Sequence, residues 1–242
     1  MTRRLDDVRL AVLMLDGIDL KGRTNVVCLG ITTEGVKIPL GLWKGSTENA
    51  AVATALLADL VDRGLDTSQG LLAVLDGSKA LRKAVSDVLG DVPVQRCQRH
   101  KERNVLDHLP DRDRDGVKRR LRTAWALDDH PAAAASLTEG LAETLTITRL
   151  GVTGALKKTL ASTNPIESMI ECVRRSSHNV KRWQNGEMAL RWTAAGMLEA
   201  EGQFRKIIGY SDLAKLAVAI EDDLTANTAT STTEEAATLA HA

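Results

Sequence analysis

Three acidic residues and one Cys-x-x-His element have the types and placement to do chemistry. Asp16 closes an apolar run in LMLDGI, Asp76 closes another in LLAVLDGS, and Glu167 falls on the first turn of a helix opened by STNPIES. Two metal ions about 4 Å apart, bridged by one aspartate, can activate an attacking oxygen and stabilise the leaving one in an in-line displacement at phosphorus. That chemistry needs carboxylates and no dedicated nucleophile. Hard cations such as Mg²⁺ bind through one or two carboxylates plus substrate phosphate. Each acid also has a plainer role. An Asp-Gly pair after a strand is a common turn. Asn164 with Glu167 three residues on is what a capping box needs, and the helix dipole favours a glutamate there anyway. Cys97 and His100, in CQRH, are half of a zinc site by spacing, but a full site takes about four ligands. Cys28, Cys172, His108, His130 and His178 offer no matching pair, so structural zinc is not expected. A buried cysteine and a surface histidine at a helix start explain this element equally well.

The elements that must position these residues can be read from the apolar patterning. Strands are predicted over 8–15, 25–31 and 36–43, joined by Gly-containing turns of the kind that link antiparallel neighbours. Thr47 or Ser46 can cap a helix running to about Arg63, stopped by Gly64. The short, continuously apolar run 71–75 suits a central strand covered on both faces. A helix over 79–89 and a fifth strand over 92–95 follow. The order βββαβαβ predicts an α/β fold with a ribonuclease H-like mixed five-stranded sheet, its first three strands antiparallel and the later ones added by helical crossovers. In that fold Asp16 and Asp76 end neighbouring strands. From Gln98 onward the pattern is helical, with breaks near Pro110, Pro131 and Gly151, and two more helices are predicted at about 165–174 and 186–205. The expected domains are a catalytic core over 1–97 and 161–210, a helical insertion over 98–160 before the last catalytic helix, a C-terminal helix over 211–226, and a disordered Thr- and Ala-rich tail over 227–242.

At 242 residues with 43% hydrophobic and 2% aromatic content, the core must be filled mainly by aliphatic side chains. Three widely separated cysteines argue against a disulfide framework, and no secretory signal or 18-residue apolar stretch is present, so a cytoplasmic protein with no membrane partner is expected. The net charge is zero, but its distribution matters more than its sum. From Arg96 to Arg122 ten Lys or Arg stand against five Asp or Glu; from Lys157 to Arg191 the count is seven against three; residues 211–242 carry a net −5. Arg96, Arg99, His100, Lys101, Arg103, Arg174, Arg175, Lys181 and Arg182 therefore read as phosphate contacts, with Trp183 as a surface for base stacking. A charge run is more often a solvated face; these two flank the acids in sequence. Trp125 reads better as a core residue than as a second stacking surface.

The blocks LMLDGIDLKGRTNVVCLGI, LLAVLDGSKALRKAV, VQRCQRHKERNVLDHLP and STNPIESMIECVRRSSHNVKRWQNGEMALRWTAAGMLEAE resemble, in order, the mutator-type transposases of bacterial insertion sequences. The resemblance implies a DDE transposase with a ribonuclease H-like fold and catalytic acids at Asp16, Asp76 and Glu167. Two Mg²⁺ ions per site, with Mn²⁺ as a substitute, would serve cleavage and strand transfer of the element's ends. It implies DNA as partner, both element ends and target, and a homo-oligomer during transposition. It also carries the Cys97 and His100 element between the second and third acids, giving those two an accessory or structural role near the active site. Family members place a helical DNA-binding region ahead of the first catalytic strand, whereas here the core starts almost at Met1, so a chain short of end recognition is expected. Two alternatives accompany this reading: a ribonuclease H-like nuclease without strand transfer, and a truncated, non-catalytic DNA-binding remnant that modulates transposition.

Overall fold

A computed structural model of the chain describes residues 2–126 and 142–239, with side chains over 2–123 and 142–226. The side chain of Trp125 and residues 127–141 of the expected insertion lie outside the described residues. Strands β1 (Leu10–Asp19), β2 (Thr24–Thr32) and β3 (Lys37–Lys44) form an antiparallel meander. Its first turn is tight because Lys21 and Gly22 both adopt positive φ, 53° and 79°, while Leu20 and Arg23 exchange backbone hydrogen bonds, the arrangement whose twist matches that of the flanking strands. Helix α1 (Ala50–Asp62) then carries the chain to β4 (Leu72–Leu75), parallel to β1, and α2 (Lys79–Leu89) carries it to β5 (Val94–Arg96), parallel to β4. The sheet order is β3-β2-β1-β4-β5. This is the ribonuclease H-like arrangement expected from the element order.

β1 as far as Leu15, and all of β4, are apolar without interruption because both faces of the sheet are covered. Alternate residues divide between two cores. Leu13 and Leu15 of β1, with Ala73 and Leu75 of β4, pack against Leu56, Leu57 and Leu60 of α1 and Leu81 and Val85 of α2. Val12 and Met14, with Leu72 and Val74, face the other way. There they meet Ile166, Met169, Ile170 and Val173 of α6 (Asn164–Ser177). Between β5 and α6 lie α3 (Gln98–Asp107), α4 (Asp111–Ala126), a helical stretch over 142–149 and α5 (Gly154–Leu160); α7 (Gly186–Gln203) and α8 (Leu213–Leu239) follow. Gly196 lets α7 approach α6 closely, since a Cβ there would lie 2.6 Å from the Val173 Cα.

Several expectations need correction. β1 does not close at Asp16 but continues to Asp19, because its pairing with β2 outlasts its pairing with β4. The α1 cap is Asn49, whose side chain accepts from the Ala51 and Val52 amides, and not Thr47 or Ser46. Thr47 is engaged elsewhere: its carbonyl accepts from Ser78 Oγ, and its side chain lies against Gly17. Residues 142–160, within the segment expected as an insertion, pack onto the sheet. Gln95 Nε2 donates to the Thr144 carbonyl (2.9 Å), the Ile147 amide donates to Gln95 Oε1 (3.0 Å), and Ile147, Leu156 and Leu160 join the apolar cluster beneath α6. The C-terminal helix α8 runs to Leu239, past the expected end at 226. No glycine or proline follows Gly209 to stop it, and its Ala, Leu and Glu residues are good helix formers.

Candidate active site

The last register pair between β1 and β4 is Leu15 with Leu75. Asp16 is the next residue of β1, and Asp76 directly follows β4. By strand alternation both continue the face of Val12, Met14, Leu72 and Val74, which α6 covers, and Glu167 stands in the first turn of α6. Each acid is held locally. Asp16 Oδ1 accepts from the Gly17 amide (2.7 Å), and Asp76 Oδ1 accepts from the Ser78 amide (2.9 Å). Gly77, between Asp76 and Ser78, has φ +106°, a conformation open to glycine, and the Arg96 side chain lies across it. The turn role considered for Asp76 is therefore real, and it fixes the carboxylate at the strand end.

Glu167 does not make a capping box from Asn164. The helix starts one residue earlier than expected, with Thr163 as N-cap, and the Thr163 hydroxyl donates to Glu167 Oε1 at 2.6 Å. The same hydroxyl lies 3.3 Å from His100 Nδ1 and 3.5 Å from Cys97 Sγ. His100 Nδ1 is 3.9 Å from Glu167 Oε1. Among the described residues, Cys97, His100 and Glu167 are the group of three with metal-ligating atoms all within 4.8 Å of one another; the three acids do not meet that spacing.

Asp16 and Glu167 share a cavity of about 590 Å³ with Arg99, His100, Arg103, Asn164, Glu171 and Arg174 among its walls. Asp76 opens into a neighbouring cavity of about 400 Å³, and His100 lines both. Burial pushes the Asp16 carboxyl up to about 6; the Gly17 hydrogen bond opposes this, and the Asp76 charge adds to it. His100 is raised above its ordinary value, chiefly by its hydrogen bond with Cys97, with the charges of Asp16 and Glu167 contributing. Burial alone would raise the Cys97 thiol, but hydrogen bonds with His100 and Thr163 bring it below the usual range.

The expected DNA contacts divide. Arg99, His100, Arg103 and Arg174 line the acid cavity, and Arg99 is anchored by a 2.7 Å bond to Asn164 Oδ1. Lys101 is half-buried, Lys181 and Arg182 are exposed in the α6–α7 connection, and none of the three lines either acid cavity. Arg96 lines a separate cavity with Arg82 and Glu143. Arg175 turns toward Cys172 Sγ and Gln203 Oε1. Trp183, expected as a stacking surface, is half-buried and packs against the core cluster that contains α6. Sequence reasoning missed Thr163 and Asn104. Thr163 was legible as a cap residue ahead of Asn164-Pro165; Asn104, in the wall of the Asp76 cavity, carries no signal in the sequence.

The sheet order β3-β2-β1-β4-β5 is that of a ribonuclease H-like domain. The chain belongs to the Mutator family of transposases, whose sequence profile matches residues 1–142. It is 33% identical over 112 residues to the transposase for insertion sequence element IST2 of Acidithiobacillus ferrooxidans, covering 46% of this chain and 38% of that protein. It is 28% identical over 206 residues to the transposase for insertion sequence element ISRM5 of Rhizobium meliloti, covering 78% and 51%. The transposase for insertion sequence element IS256 in transposon Tn4001 of Staphylococcus aureus is 24% identical over 240 residues, covering 86% and 60%. The chain thus spans 38% to 60% of the length of these relatives. Among solved structures, the catalytic core domain of BIV integrase aligns with 79% of this chain and 96% of that one at 15% identity and a TM-score of 0.26; the fold assignment rests on the sheet order and not on this overlay. No helix among the described residues is long and apolar enough to cross a membrane.

Proposed function

We propose that this chain carries out metal-dependent cleavage and strand transfer on the DNA ends of an insertion sequence, with Asp16, Asp76 and Glu167 as ligands of two divalent ions, Mg²⁺ or Mn²⁺. The observation that carries the reading is the placement of Asp16 and Asp76 at the end of the paired run of two adjacent parallel strands, on the sheet face that α6 covers and from which Glu167 projects. The donor chemistry fits. Asp16 is a carboxylate raised to about 6 by burial and, after the opposing Gly17 hydrogen bond, by Asp76, and a cation between them relieves that repulsion. The oxygen donors suit a hard ion that retains room for substrate phosphate.

When bound, such ions activate the attacking oxygen and stabilise the leaving one. The chain's own residues supply position and charge. The Gly17 and Ser78 amides hold the two aspartates in place, and the Thr163 hydroxyl holds Glu167. Arg99, Arg103 and Arg174 in the cavity wall neutralise the DNA backbone, Arg99 braced on Asn164. Incubation with element-end DNA, target DNA and Mg²⁺ or Mn²⁺ tests the reading: joined products are expected from the wild type and none from Asp76→Ala. Hydrolysed ends without joining would instead favour a nuclease, and equal inertness of both proteins would refute catalysis.

A further inference from the structure

The structure assigns a second metal site: we propose that Cys97, His100 and Glu167 bind one thiophilic divalent cation of the zinc class, and that its binding withdraws Glu167 from the carboxylate site. Only the second half rests on the proposed function.

The three ligands come from three anchored positions. Cys97 follows β5 as the N-cap of α3, and its amide donates to the Leu75 carbonyl at 2.7 Å; His100 lies one turn on, at the start of α3; the Gln98 amide ties that start to the Ala161 carbonyl ahead of α6 (2.9 Å), which carries Glu167. Their ligating atoms lie within 4.8 Å of one another, with His100 Nδ1 and Glu167 Oε1 at 3.9 Å. Tetrahedral zinc, with bonds of 2.0–2.3 Å, sets its ligands roughly 3.5 Å apart, so small side-chain rotations close the site. Cys97 is buried while His100 and Glu167 open to the cavity, which leaves a fourth position on the open side. Three protein ligands with one open position is the pattern of an open zinc site, not of a closed structural one.

Ligand softness separates the two sites. A thiolate and an imidazole select zinc-class ions, whereas Asp16 and Asp76 present oxygen alone, the preference of Mg²⁺. Glu167 is common to both. The Thr163 hydroxyl, near all three ligating atoms, keeps them gathered. The remaining cysteines stand apart: Cys28 lies in the core on the α1 and α2 face of the sheet, and Cys172 meets Arg175.

Co²⁺, used as the zinc surrogate, is titrated into the purified chain without DNA. The wild type is expected to show thiolate-to-cobalt charge-transfer absorption saturating at one ion per chain and displaced by Zn²⁺. Cys97→Ser is expected to lose that absorption, and Glu167→Gln to bind at least tenfold more weakly with the band retained. His100→Asn, also expected to weaken binding at least tenfold, carries the test should circular dichroism show Cys97→Ser unfolded. No charge-transfer band in the wild type, or a band unchanged in these variants, overturns the site. Because no DNA is present, absence of strand transfer leaves this result standing. In strand-transfer assays at fixed Mg²⁺, zinc is expected to inhibit the wild type at concentrations at least tenfold below those needed for Cys97→Ser; equal inhibition overturns the sharing of Glu167.

Discussion

Asp16 is a buried carboxyl beside Asp76, and its folded-state pKa of about 6 lies above the ordinary 3.8, so the fold disfavours its charge. A carboxyl that binds its proton more tightly when folded lowers stability as pH rises from below 4 to about 6, and the loss is complete above that. In metal-free protein at pH 7, Asp16→Asn is therefore expected to be stabilising, by roughly 2–3 kcal/mol for a pKa difference of about 2 at ~1.4 kcal/mol each. The gain should fade on acidification toward pH 4, and denaturant melts of both proteins across this range check it; destabilisation at pH 7 would contradict the burial of charge. At Gly77 the expected effect is opposite. Alanine at φ +106° is strained, and its Cβ would meet the Arg96 guanidinium, so Gly77→Ala is expected to cost about 1–3 kcal/mol in a urea melt and to displace the Asp76 turn.

The α6–α7 crossing holds the third acid against the sheet. Valine at Gly196 would press into the Val173 backbone, and overpacking of this kind costs about 1–3 kcal/mol. Gly196→Val is expected to lower thermal stability and to reduce activity more than Leu198→Ala, because Leu198 on the same helix is exposed. Thermal melts and strand-transfer rates compare the two. The elements carrying Asp16 and Asp76 were legible because a doubly covered strand leaves an unbroken apolar run, as in 71–75, and because Gly22, Gly64 and Gly90 mark where elements end. The return of the chain over 142–149 was not legible, since it depends on contacts across about fifty residues, those of the buried Gln95 and of Thr146 with Val94 among them. The Cys97, His100 and Glu167 grouping was hidden for the same reason. Two ligands share one helix start, but the third sits nearly seventy residues on and also fits a helix-terminus role.

Over the whole molecule, neutral net charge conceals a cavity in which Arg99, Arg103 and Arg174 stand among three acids, Asp16, Glu167 and Glu171, while Lys181 and Arg182 stand apart. Each phosphate neutralised adds about 0.9 to the slope of log affinity against log salt on duplex DNA. Replacing Arg99, Arg103 and Arg174 with Ala is expected to lower that slope by about 2–3, and replacing Lys181 and Arg182 to lower it by less than 1. Fluorescence anisotropy at several salt concentrations measures both; equal effects would place the DNA path elsewhere. Sequence alone marked all these cations alike, because sequence proximity to an acid does not tell which face of α3 or α6 a side chain occupies. Anomalous scattering from crystals soaked in Mn²⁺ tests the central claim most directly. The expected result is manganese bound by Asp16 and Asp76, with Glu167 completing the site. Crystals with manganese at neither aspartate would contradict it.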